Sequence, residues 1–156
     1  MREILQGPGL FGTVTSLGAN ATLGLSVLAA ALFTVGWRLA VTKRFKAHRW
    51  VQTAAACLNA VLVFAWMIRA FVLYLVPGIP SKLGQSSYAV TTAHAVVGAI
   101  GLVLGLFVVL RGNELVPKSL RFANYKLFMR ASYALYMLAT LVGVIVYVIV
   151  YVGVPG

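Results

Sequence analysis

Apolar residues run along this chain in four long blocks separated by short polar stretches, at residues 17–41, 51–76, 89–110 and 128–152. A helix needs ~20 apolar residues to cross a hydrocarbon layer, and each block supplies about that many. The pattern predicts an all-α fold, an integral membrane four-helix bundle forming a single domain. The intervening stretches are too short for a soluble domain. Residues 77–88 contain Pro77, Gly78, Pro80 and Gly84 and read as a turn-rich loop, and 111–126, with Pro117, as a longer one.

The polar residues inside these blocks fall into stripes. In the second block His48, Gln52, Asn59, Trp66 and Arg69 share one helical face, with Ala55 and Leu62 completing it. The fourth carries Tyr133, Tyr136, Thr140, Gly143 and Tyr147 in similar register, and the third His94, Gly98, Gly101 and Gly105. Gly101 and Gly105 make a GxxxG pair, which permits close helix approach. Polar groups in hydrocarbon are costly and turn toward the bundle interior or a partner, so the three stripes are expected to face one another. At a rise of ~1.5 Å per residue, Arg69, His94 and Tyr147 come to similar depth on antiparallel helices. They form the expected cluster on the outer side, a site for a carboxylate, a quinone headgroup or a haem propionate. The competing reading has Arg69 reaching for the interface and His94 bonding a backbone carbonyl. His48 lies at the other end, roughly 25–35 Å from His94 by helix rise, so the two cannot ligate one metal or haem within one chain. His48 reads as a contact on the cytoplasmic side.

Composition sharpens the picture. Hydrophobic residues make up 62% of the chain and mean hydropathy is +0.96, more apolar surface than a domain of this size hides in its own core. There are 13 Lys and Arg against only two acids, Glu3 and Glu114. Such a balance suggests nucleic acid until the positions are read. Arg38, Lys43, Arg44, Lys46 and Arg49 flank the first connection, and Arg111, Lys118, Arg121, Lys126 and Arg130 the third; Arg2 and Lys82 lie on the opposite side, and Arg69 lies within the second block. By the positive-inside rule the basic loops are cytoplasmic and both termini outside, in the cell membrane of a prokaryote. Membrane lipid and other membrane-protein subunits are the expected partners, and nucleic acid is not.

Little in the sequence carries reaction chemistry. No Ser/His/Asp set, carboxylate pair or phosphate loop occurs, so no catalytic residue is assigned and the chain is not expected to be an enzyme. Cys57 stands alone in an apolar block and reads as a small buried hydrophobe. Asn20-Ala-Thr22 matches a glycosylation sequon but lies at a helix start. The N-terminal stretch lacks the layout of a cleavable signal, because its basic flank follows the apolar run.

Four stretches together resemble the YozB/CtaM-like family of small four-helix membrane proteins. They are Asn20-Ala-Thr-Leu23 at the first helix start, Gly36 with the basic run to Ala47-His48-Arg49, Tyr88 to His94, and Gly143-Val-Ile-Val-Tyr147. The resemblance runs from about Asn20 to Tyr151. It implies a role beside haem–copper terminal oxidases, one branch of that family assisting their maturation. This chain departs from the pattern where the family places further histidines: Ala70 and Lys126 stand there. Protonated lysine is a poor metal ligand. Haem or copper is therefore the cofactor the resemblance raises and the ligand count does not support, and no metal ligand is assigned to His48 or His94. Three functions follow in order: a non-enzymatic accessory or assembly protein of a respiratory oxidase, a permanent structural subunit of a larger membrane complex, and a haem- or copper-binding redox protein.

Overall fold

A computed structural model describes residues 17–121 and 123–149, and these are helical with no strand among them. Four helices are long and apolar enough to cross a membrane: α1 (Leu17–Val41), α2 (Phe45–Lys82), α3 (Ser86–Gly112) and α4 (Tyr125–Tyr147). The expected termini, with Arg2 and Glu3, and the end of the fourth block lie outside the described residues. Each helix packs on its neighbour in sequence, and α4 returns to α1, closing an antiparallel four-helix bundle.

Small residues set how close α1 comes to its neighbours. Gly18, Ala29 and Gly36 are its buried positions. A Cβ on Gly36 would meet the Gln52 amide nitrogen at 2.5 Å, and one on Gly18 would overlap the Trp66 ring. Ala55 and Leu62 of α2 are buried in the same seam. Between α3 and α4, Gly101 lies against the backbone of Leu135 and Gly105 against the buried Ser132. Gly98, on the same stripe, has nothing within 4 Å of where its Cβ would sit. It is therefore not a packing glycine toward a described neighbour.

The second helix departs from expectation in two ways. It is 38 residues long, about 57 Å at ~1.5 Å per residue, and it runs to Lys82, into the stretch expected to be a loop, of which Leu83 to Gln85, with Gly84, remain as the turn before α3. Pro77 and Pro80 do not stop it because each sits at the start of a short helical turn, where the missing N–H has no partner to lose. Two π-helical stretches, Val63–Met67 and Phe71–Leu75, also interrupt it, with the Ile68 N–H donating to the Val63 carbonyl and the Val76 N–H to that of Phe71. A π turn inserts a residue. Each insertion rotates the following face by about 100°. Arg69, beyond the first π stretch, therefore leaves the stripe that begins at His48, whereas Trp66, inside that stretch, still packs on Gly18 of α1. Cys57 is a further correction: it is exposed, on the outward face shared with Val61 and Phe64.

Both basic connections begin with the same device. After α1 the Arg44 N–H bonds the Leu39 carbonyl and the Lys43 N–H that of Ala40; after α3 the Leu115 N–H bonds Leu110 and the Glu114 N–H bonds Arg111. These are Schellman caps. The left-handed position is filled by Lys43 (φ 60°) and Glu114 (φ 64°) instead of glycine. That conformation costs a non-glycine residue ~1–2 kcal/mol. Lys43→Gly and Glu114→Gly are each expected to raise stability by about 1 kcal/mol, read as a higher denaturation midpoint of the purified chain in detergent. Thr42→Gly, one residue earlier and without a left-handed φ, should lower it.

Candidate functional site

Of the side-chain hydrogen bonds between helices in the described residues, most end on α1, at backbone carbonyls or at polar side chains. From α2, His48 Nδ1 lies 2.7 Å from the Gly36 carbonyl and the Gln52 amide donates to the Phe33 carbonyl at 3.2 Å. A carbonyl only accepts, so Nδ1 carries the imidazole proton. Gly36 makes this contact possible: with no Cβ, its carbonyl is open to the ring and the space beside it holds the Gln52 amide.

The tyrosines of α4 grip the adjacent side of α1. The Tyr133 hydroxyl pairs with Thr34 Oγ1 at 3.1 Å, Tyr136 donates to the Ser26 carbonyl at 3.3 Å, and Tyr147 donates to Asn20 Oδ1. Phe33 packs on the Tyr136 ring and Trp37 stacks on Tyr133. The polar stripes of α2 and α4 thus both close on α1 and do not meet at a common centre. The α1 face that receives them carries Gly18, Thr22, Ser26, Ala29 and Gly36, small or polar residues at helical spacing, with the Phe33 ring among them. That spacing is the signal that would have identified it.

The expected outer cluster is not assembled. Arg69 is exposed and, among the described residues, makes no hydrogen bond or ion pair. The π turn before it explains why, since it rotates Arg69 off the buried face. His94 lies in the α3–α4 seam, its ring carbon 3.0 Å from where a Gly143 Cβ would sit and its ring against the Ala139 backbone. Tyr147 sits one turn beyond Gly143 and is bound to Asn20, so His94 and Tyr147 flank one stretch of α4 without Arg69. Asn59 is half-buried and has no hydrogen-bond partner among the described residues. At the positions where the resembled family has histidines, Ala70 is half-buried and Lys126 exposed.

Buried polar atoms without a partner number three among the described residues: Asn20 Nδ2, Thr92 Oγ1 and His94 Nδ1. All lie in the half of the bundle away from the basic loops. No group of three or more His, Cys, Asp or Glu that could hold a metal ion occurs among the described residues.

The α3–α4 connection is tied down by its own cations. Arg121 donates to the carbonyls of Val116 and Glu114 at 3.0 and 3.1 Å, burying Val116, and Arg111 lies over the Tyr125 ring, whose hydroxyl bonds the Val108 carbonyl. Asn113 reaches Thr53 Oγ1 at 2.9 Å and joins α3 to α2 at this end.

The Asn20–Tyr147 pair is open to a direct test. Tyr147→Phe should cost about 1–2 kcal/mol of stability, because it leaves a buried amide oxygen unpaired. Removing both polar groups, in Tyr147→Phe with Asn20→Leu, should cost less than the two single changes added, and strict additivity would refute the bond. Arg69→Ala should stay within about 0.5 kcal/mol of the parent.

No family model, curated protein or solved structure matches the chain.

Proposed function

We propose that the chain crosses a prokaryotic cell membrane four times, basic loops in the cytoplasm and both termini outside, and serves as a non-enzymatic accessory or assembly protein of a respiratory haem–copper terminal oxidase. One observation carries the docking part of this reading. The polar side chains of α1, α2 and α4 are largely directed inward to one another, while large apolar side chains stand exposed along all four helices, among them Val27, Val35, Phe64, Val72, Val103 and Leu141. A chain built this way offers its surroundings an apolar exterior, suited to lipid and to the helices of neighbouring subunits. The identity of the partner rests on the sequence resemblance alone, carried by Asn20 to Leu23, Gly36 to Arg49, Tyr88 to His94 and Gly143 to Tyr147.

Three of those stretches take part in two contacts that fit a scaffold. Gly36 and His48 form one interhelical contact, and Asn20 and Tyr147 form another. The family-like residues hold this bundle together, and the role they support is presentation of a fixed outer surface. In α2, 38 residues exceed the ~30 Å hydrocarbon thickness, so it must tilt or project beyond the bilayer. A projecting end extends the surface available to a partner.

A second reading, a permanent subunit of a larger membrane complex, is favoured by Gly24 and Gly98, where open space leaves notches for a neighbour's side chains. The haem- or copper-binding reading has least behind it, since the two histidines sit in different seams and His48 Nδ1 is held by Gly36.

A tagged full-length chain, captured in mild detergent, separates these readings by partner stoichiometry and an absorption spectrum of the same eluate. Oxidase subunits at low stoichiometry are the expected result. Equimolar subunits of a stable complex would move the assignment to a permanent component. A lone protein with a haem or copper band would overturn both.

A further inference from the structure

Orientation in a membrane asks only that cations collect on one side, and the two basic connections carry five each. The structure treats them differently. On the α3–α4 side Arg121 is bound to carbonyls, Arg111 covers a tyrosine ring and Glu114 lies among the cations in sequence, which leaves Lys118, Lys126 and Arg130 uncommitted among the described residues. On the α1–α2 side Arg38, Lys43, Arg44, Lys46 and Arg49 have no acidic residue among them. Their side chains make no hydrogen bond or ion pair with any described residue.

This corner also has shape. Lys43, Arg44, Phe45, Lys46, Ala47 and Trp50 line a shallow, open depression of the surface. A second adjoins it through Arg44 and runs down α1 past Arg38 to Thr34. Phe45 and Trp50 are 65% and 64% exposed beside the cations. The first turn of α2 carries no acid and no side-chain cap, so nothing in the chain offsets the positive end of the helix there. Lys43 is kept in a left-handed conformation that glycine would adopt without cost, which fixes the direction in which its backbone leaves the turn.

We propose that the α1–α2 corner binds the headgroup of an anionic phospholipid. Lys43, Arg44 and Lys46 pair with the phosphate, Phe45 and Trp50 lie at headgroup level, and the acyl chains follow the apolar side of α1 below Arg38. Charge complementarity selects this occupant: a cluster of cations without internal counterions, next to interfacial aromatics, meets the one anionic surface a membrane protein always has beside it. The inference rests on the membrane-spanning part of the proposed function and is independent of the oxidase.

The test uses the full chain in phosphatidylcholine vesicles containing a minor fraction of phosphatidylglycerol, with bromine on the acyl chains of one lipid or the other to quench tryptophan. Both leaflets have the same composition, so insertion direction does not affect the reading. Brominated phosphatidylglycerol is expected to quench more strongly than brominated phosphatidylcholine at equal mole fraction. The excess quenching by the anionic lipid should fall in Trp50→Phe, with Trp37 on α1 accounting for what remains. In the combined variant Lys43→Gln, Arg44→Gln, Lys46→Gln the relative association constant for the anionic lipid should fall at least about tenfold. The matched variant Lys118→Gln, Lys126→Gln, Arg130→Gln should retain it. Equal quenching by both lipids in the parent, or equal loss in the two triple variants, would overturn the site. Quenching by neither lipid would instead show that the chain does not insert, and so would remove the membrane-spanning reading on which the site depends.

Discussion

The bundle depends on how closely α1 lies to its neighbours. Gly18, Ala29 and Gly36 give it a flat face, and only on such a face do backbone carbonyls come within reach of side chains from other helices. His48 and Gln52 use the carbonyls of Gly36 and Phe33, and Tyr136 uses that of Ser26. Each of these oxygens can also accept its own intrahelical bond, because a carbonyl has two lone pairs. Individually such interhelical bonds are modest, on average ~0.6 kcal/mol in a measured membrane bundle. Their joint effect is positional. They fix α2 and α4 on two sides of α1, while α3 is held through α4 and through its two end contacts with α2, Asn113 with Thr53 and Gly78 with Tyr88.

The four helices were legible because apolar length is a strong signal, and nothing between the blocks competes with it. The close approach of Gly101 and Gly105 to α4 was legible for a related reason, since small residues four apart leave room for a backbone. What escaped was phase. A stripe drawn from His48 at 3.6 residues per turn reaches Arg69, but the π stretch at Val63–Met67 rotates the helix before it arrives there. The segment Val63 to Leu75 contains no glycine or proline to announce the change. Proline misled in the opposite direction, because Pro77 and Pro80 read as breaks and instead begin short helical turns.

The caps show how a local rule and a tertiary contact divide the glycines. Gly112 closes α3 and is not its left-handed residue. It remains helical, and a Cβ there would stand 3.2 Å from the Tyr125 hydroxyl. The left-handed position falls two residues later, on Glu114. Gly112 thus meets the start of α4, while the left-handed turn is made by a non-glycine residue.

The two ends of the bundle differ in what they leave unsatisfied, and this bears on where a partner acts. Near the basic loops His48, Gln52, Asn113, Arg121 and Tyr125 all have hydrogen-bond partners, and the uncommitted groups there are cations facing outward. Toward the opposite end the uncommitted groups lie inside, on Asn20, Thr92 and His94. An unpaired buried polar atom costs about 1–3 kcal/mol, so water or a polar group entering beside His94 and the Asn20–Tyr147 pair would be stabilised by that amount per bond formed. Nothing comparable is available beside His48. A hydrogen-bonding partner would thus gain most at the end away from the basic loops, and an anionic surface would gain most at the other.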